Sequence, residues 1–169
     1  MTGQEVIVRY LEDAEAAERN FEDTLLTFAK TGEQNAVKSM FEAASRKAKT
    51  QHERLEARLR QLGGSPSHAK SFVAHVLAMS PTLAQIGHEG AEKNTQHLIA
   101  CIGAASAEMA MYESLASVAA AAGDTQTESL ARELQKEEKD DWDQSWALLR
   151  PSAVAAFETV VGRSTRAGA

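Results

Sequence analysis

The sequence predicts an all-α protein, an antiparallel four-helix bundle with one long crossover between its second and third helices. Three observations carry this expectation. Only 3 of 169 residues are proline, and runs of β-branched residues are few. Apolar residues recur at three- and four-residue steps almost throughout. The links between the first and second and between the third and fourth helical stretches are short, whereas the link between the second and third is long.

The first helix is expected from about residue 4 to 30, opened by Thr2-x-x-Glu5, in which each side chain satisfies a free amide of the first turn, and closed by Gly32. The second runs from about 33 to 62, opened by Thr31-x-x-Gln34 and stopped by Gly63-Gly64-Ser65-Pro66. Residues 67 to 88 form the crossover, with a short helix over Ala69 to Met79 before Ser80-Pro81 breaks it. The third helix, from about 91 to 122, ends at Gly123, and Thr125-x-x-Glu128 opens the fourth, which is expected to stop near 149, ahead of Arg150-Pro151-Ser152. A short helix over about 153–161 and a tail complete the chain. This connectivity is ferritin-like, and the length of 169 residues suits a single domain, with helices of about 25–30 residues extending roughly 40 Å.

Composition narrows the function classes. Lys and Arg number 18 against 24 Asp and Glu, a net charge of −6, with no basic patch, which argues against nucleic acid or an anionic membrane as partner. Mean hydropathy is −0.35 and apolar residues make up 43%. The first thirty residues carry acids in an amphipathic pattern, unlike a signal peptide, so a cytoplasmic location is expected. A single cysteine, Cys101, excludes an internal disulfide and any Cys-x-x-Cys metal site, and reads as a small buried apolar residue.

The apolar faces are interrupted near mid-length in all four helices. Ile7, Leu11, Ala14, Phe21, Leu25 and Phe28 form a stripe on which Glu18 falls midway. On the second helix, Phe41, Ala44, Ala48, Leu55, Leu59 and Leu62 surround His52. Glu108 borders the third stripe, one turn from Tyr112, and Glu137, Glu138, Asp140 and Asp141 lie between Leu134 and Leu148 on the fourth. An isolated buried carboxylate costs several kcal/mol, so inward acids must be protonated, paired, hydrogen-bonded or bound to a cation. Carboxylate-bridged di-iron and di-manganese bundles use one Glu from each of two helices and Glu-x-x-His from the other two. Against that pattern the chain offers Glu18, Lys49-x-x-His52, Glu108 and Glu138-x-x-Asp141, with Glu137 as the alternative on the fourth helix. Lys49 stands where a bridging Glu would be and could supply the charge of a second ion; Asp141 replaces His. The expected ligands are therefore Glu18, His52, Glu108, Glu137, Glu138 and Asp141 for iron or manganese. The alternative is a metal-free bundle acting by association, its acids neutralised by Lys49, His52 and Tyr112. A second group, His75, His88, Glu89, Glu92 and His97, gathers around the crossover. Trp142 and Trp146 read as core or interface anchors.

Ala17-Glu18-x-x-Phe21-x-x-x-Leu25, Arg54-Leu55-Glu56, Leu62-Gly63, Glu89-Gly90, Glu108-Met-Ala-Met-Tyr112 with Leu115 and Ala119, Gly123, and Glu137-Glu138 with Asp141 follow one another in an order that resembles the YciE/YciF-type ferritin-like proteins over about residues 7 to 149. The resemblance implies a four-helix bundle with a crossover helix, often a homodimer, tied to bacterial stress responses and suspected of metal binding. It places the family's inward acids on Glu18, Glu108, Glu137 and Glu138. The His-x-x-Glu of the second helix falls on Ala44 and Lys47, and the Glu one turn before Glu108 is Ala105. These departures argue against a complete dinuclear centre and favour binding over di-metal oxidase or peroxide-consuming chemistry.

Overall fold

A computed structural model describes residues 1–32, 34–66 and 90–167. Among these residues there are four α-helices, α1 (Gly3–Thr31), α2 (Asn35–Gln61), α3 (Lys93–Ala122) and α4 (Thr125–Ala167), and a 3-10 turn over Gly90–Glu92 that leads into α3. The expected crossover helix over 69–79, together with His75, His88 and Glu89, lies outside the described residues.

The capping box at the start of α1 is present: the Glu5 amide donates to Thr2 Oγ1 at 3.2 Å and the Thr2 amide to Glu5 Oε2 at 2.6 Å. The other two expected caps differ. Thr31 ends α1, where its hydroxyl donates to the Thr27 carbonyl, and α2 starts after Gln34 without a side-chain cap. Asp124, rather than Thr125, caps α4, accepting from the Thr127 amide at 3.0 Å and its hydroxyl at 2.6 Å, and Arg58 clamps the same carboxylate at 2.7 and 2.8 Å. Gly123 closes α3 with φ 76°, a left-handed conformation that favours glycine.

The two helical segments expected on either side of Pro151 are one helix, α4. Proline removes the N–H that would bond the Ala147 carbonyl, but Ala147 and Pro151 both lie on the exposed side, where water can satisfy that carbonyl. On the opposite side Ser152 and Ala156 are buried, and the Ser152 hydroxyl donates to Gln34 Oε1 at 3.1 Å. Burial thus carries the helix through the break.

Each hairpin partner is antiparallel. Gln4 Nε2 donates to the Leu62 carbonyl at 2.9 Å, which sets the start of α1 beside the end of α2, and Trp142 Nε1 donates to Ser106 Oγ at 3.1 Å between α4 and α3. The hairpins meet through α1 against α3 and α2 against α4. Because α3 begins near the end of α1, where Gly32 approaches Asn94, α2 and α3 run parallel, as a bundle-length crossover requires. By composition α3 with its 3-10 turn is long and apolar enough to cross a bilayer, yet its buried face includes Asn94, His97 and Glu108.

The core is two clusters rather than one. Phe21, Leu25, Phe28, Val37, Met40, Phe41, Leu98 and Cys101 fill one end, and Ile7, Leu11, Leu55, Leu59, Tyr112, Leu115 and Leu134 fill the other. Along α1 the boundary falls between Ala14 and Phe21, and along α3 between Ala104 and Tyr112. Glu18 and Glu108 occupy those gaps.

Candidate metal centre

The layer between the two clusters is built from one inward position on each helix. On α1 the steps from Ala14 to Phe21 pass through Glu18, which is 0% exposed; Glu108 of α3 is equally buried and Glu138 of α4 is 1% exposed. One oxygen from each of these three carboxylates lies within 4.8 Å of the others. Three helices thus bring three acids to one point, and the remaining one, α2, supplies Gln51.

The hydrogen bonds available to this group are few. The Tyr112 hydroxyl donates to Glu18 Oε1, and Gln51 Nε2 donates to Glu138 Oε1 at 2.8 Å. With all three acids ionised, Glu18 Oε2, Glu138 Oε2 and both oxygens of Glu108 have no partner. Glu108 and Glu138 approach closely enough to share a hydrogen bond, but two carboxylates can do so only if one holds a proton. Burial, reinforced by the Glu138 charge, raises the Glu18 carboxyl well above its ordinary range even though Tyr112 opposes the shift. Burial, then the Glu18 and Glu138 charges, does the same to Glu108. Glu138 is pushed up to about 7 by burial and by Asp141. Each shift has the same leading cause: burial of negative charge in a dry place.

The remaining expected ligands lie outside this trio, and Asp141 and Glu137 are ion-paired. Asp141, one turn from Glu138, is ion-paired with Lys47 of α2, whose Nζ also donates to the Glu137 carbonyl at 3.3 Å. Glu137 turns to the α2 side, where Arg54 Nη1 meets Oε1 at 2.7 Å. His52 is half-buried beside α1, with Nδ1 at 3.2 Å from Glu22 Oε2. Lys49 is exposed, so the ammonium that reaches this layer belongs to Lys47. Of the second group, Glu92 adjoins Thr95, Ala153, Ala156 and Phe157 in a shallow cavity, while His97 is buried in the first apolar cluster and stacks on Phe28 with ring centroids 4.1 Å apart. Cys101 is buried as expected, accepts from Ser145 Oγ at 3.4 Å, and has its thiol pushed up to about 12 by burial.

Gln51 was not among the expected site residues. The stripe does contain it: both 51 and 52 are reachable from Ala48 and Leu55 by steps of three and four, and the two positions differ by about 100° around the helix. Histidine is the better ligand chemically, but the bundle turns the amide inward.

The donor set fits a cation of the hard or borderline kind. Three carboxylates with orphaned oxygens, and no sulfur or imidazole within that trio, suit manganese, ferrous iron, magnesium or calcium better than copper or zinc.

Comparison with known proteins places the chain in a family. The fold matches the crystal structure of the E. coli stress protein YciF (TM-score 0.80, 20% identity, 90% of this chain and 98% of that one). It also matches a protein from Xanthomonas campestris pv. campestris (TM-score 0.77, 20% identity, 93% and 97% coverage) and YcfI from Rhodopseudomonas palustris (TM-score 0.77, 17% identity, 86% and 93% coverage). No curated protein sequence matches. The profile of the family described as Domain of unknown function (DUF892) matches residues 2–154, nearly the whole bundle, and the chain therefore belongs to that family.

Proposed function

We propose that the chain binds a divalent cation, manganese or ferrous iron, through Glu18, Glu108 and Glu138 in the bundle core. The observation that carries this reading is Glu108: fully buried, with no hydrogen-bond donor to either oxygen of its ionised carboxylate, and facing two more acids within 4.8 Å. Leaving such a group without a counter-charge costs several kcal/mol, and a bound cation removes that cost while supplying the charge that protons otherwise supply. Redox-active iron held there would bring oxygen or peroxide chemistry; the residues themselves provide a binding site with a phenolic donor, Tyr112, on one ligand. The fold shared with the E. coli stress protein YciF supports a role under stress.

A second reading, a metal-free bundle that works by association, is favoured by the partial neutralisation from Lys47, Gln51 and Tyr112 and by the exposed Trp146 and Phe157. That surface also suits a homodimer. One experiment separates the two. Protein purified without chelator and dialysed is expected to retain manganese or iron at close to one atom per chain by elemental analysis, and Glu18→Ala to lose it while remaining folded. Absence of metal from the native protein, with no thermal shift on adding Mn2+ or Fe2+, decides for the metal-free bundle.

A further inference from the structure

We propose that the Lys47 ammonium takes the place of a second cation, so that the carboxylate layer of this chain holds one divalent ion and not two. The inference rests on the cation-binding reading above and adds its stoichiometry.

Four acids are buried at this level: Glu18, Glu108, Glu138 and Asp141. They fall into two groups by what faces them. Glu18, Glu108 and Glu138 converge with orphaned oxygens, including both of Glu108. Asp141 is instead ion-paired with Lys47, whose second bond, to the Glu137 carbonyl, fixes the ammonium between α2 and α4. A divalent ion among the first three leaves one net negative charge, and the Tyr112 and Gln51 donors already face that group. A second divalent ion beside Asp141 would meet the Lys47 charge at close range in a poorly screened layer and be repelled. The carboxylate that a second ion would need, Asp141, is occupied by the ammonium. The inward positions one turn before Lys47 and Glu108 are Ala44 and Ala105, 4% and 0% exposed, which offer only methyl groups. The Lys47 charge, and the Asp141 carboxylate that it occupies, therefore hold the layer to one ion.

Lys47 is a positioning residue in this scheme: it touches Asp141, not the cation. Equilibrium dialysis of the full chain against Mn2+, read by elemental analysis, is expected to give one Mn2+ per chain for the native protein. Lys47→Gln removes the ammonium and frees Asp141, and is expected to take up two Mn2+ with a larger Mn2+-induced rise in Tm than the native chain. If Lys47→Gln folds only with Mn2+, far-UV circular dichroism during Mn2+ titration gives the same count, two per chain at the end point. Lys47→Met/Asp141→Leu replaces the pair by apolar groups and is expected to keep one Mn2+. Two Mn2+ on the native chain, one on folded Lys47→Gln, or none on the double variant would each overturn the inference while leaving the cation site standing. No Mn2+ on the native chain would instead remove the cation site itself.

Discussion

His97 and the Glu18–Glu108–Glu138 group are both ionisable, both on buried faces, and within about three turns of one another along α3. Their surroundings treat them in opposite ways. His97 lies flat on Phe28, with an interplanar angle of 12°, and edge-on to Phe41 at 6.1 Å, so its neutral ring packs as an aromatic; burial, with Lys93 nearby, brings its pKa down to about 4. The three acids have no aromatic platform for a neutral form and too few donors for a charged one. Burial of a titratable group is therefore not what marks a site here. What marks it is burial with oxygen atoms left unpartnered.

The pH dependence of the metal-free protein tests this contrast most strongly. His97 is depressed in the folded state, so the unfolded chain takes up a proton first as pH falls below about 6.5, and stability is lost towards pH 4 by about 3 kcal/mol. The acids act with the opposite sign. Their folded-state values are raised, so their contribution is present at low pH and is lost as pH rises from about 4.5, through about 7 for Glu138. Urea melts across pH 4–8 on chelator-treated His97→Leu are expected to show only the second trend, with stability falling as pH rises. A flat profile in that variant would mean that the acids are already compensated within the protein.

Glu108→Met sharpens the same point at smaller cost. It is expected to abolish manganese retention and to raise the stability of the metal-free protein by about 2 kcal/mol at pH 7, since an uncompensated buried acid gives way to an apolar side chain of similar length. Destabilisation in that variant would assign Glu108 a structural pairing. The smallest effect is expected for Tyr112→Phe, which keeps the packing in the second apolar cluster but removes the donor to Glu18 Oε1, costing about 1 kcal/mol by chemical denaturation and leaving manganese bound. Loss of the ion in Tyr112→Phe would show that the hydroxyl sets the geometry of Glu18.

Helix positions were legible in the sequence because the three- and four-residue steps are regular and glycine marks the ends of α2 and α3. Glu18 was legible for the same reason, as a slot in a stripe that is otherwise apolar; Glu108 was read at the border of its stripe, and on α4 the spacing left Glu137 and Glu138 as alternatives. The contribution of α2 was not legible. His52 and Gln51 satisfy the same spacing, and Lys47 and Lys49 are separated by about 200° around the helix, so only the rotation of α2 against α1 and α4 decides which pair faces inward. That rotation is set by contacts such as Arg58 with Asp124 and Arg54 with Glu133 and Glu137, which join residues far apart in sequence. The continuity of α4 was hidden by a local rule. Proline breaks helices in general, but the break is tolerated where the orphaned carbonyl faces water and the opposite side is anchored.

That tolerated break has a mechanical consequence. A rod of 43 residues that lacks one backbone tie near its last third will flex there first. The Ser152–Gln34 bond sits immediately past the weak joint and straps it to the α1–α2 turn. Bending of the distal segment is thereby steered about a fixed pivot, while the carboxylate level, more than two turns upstream, keeps its spacing.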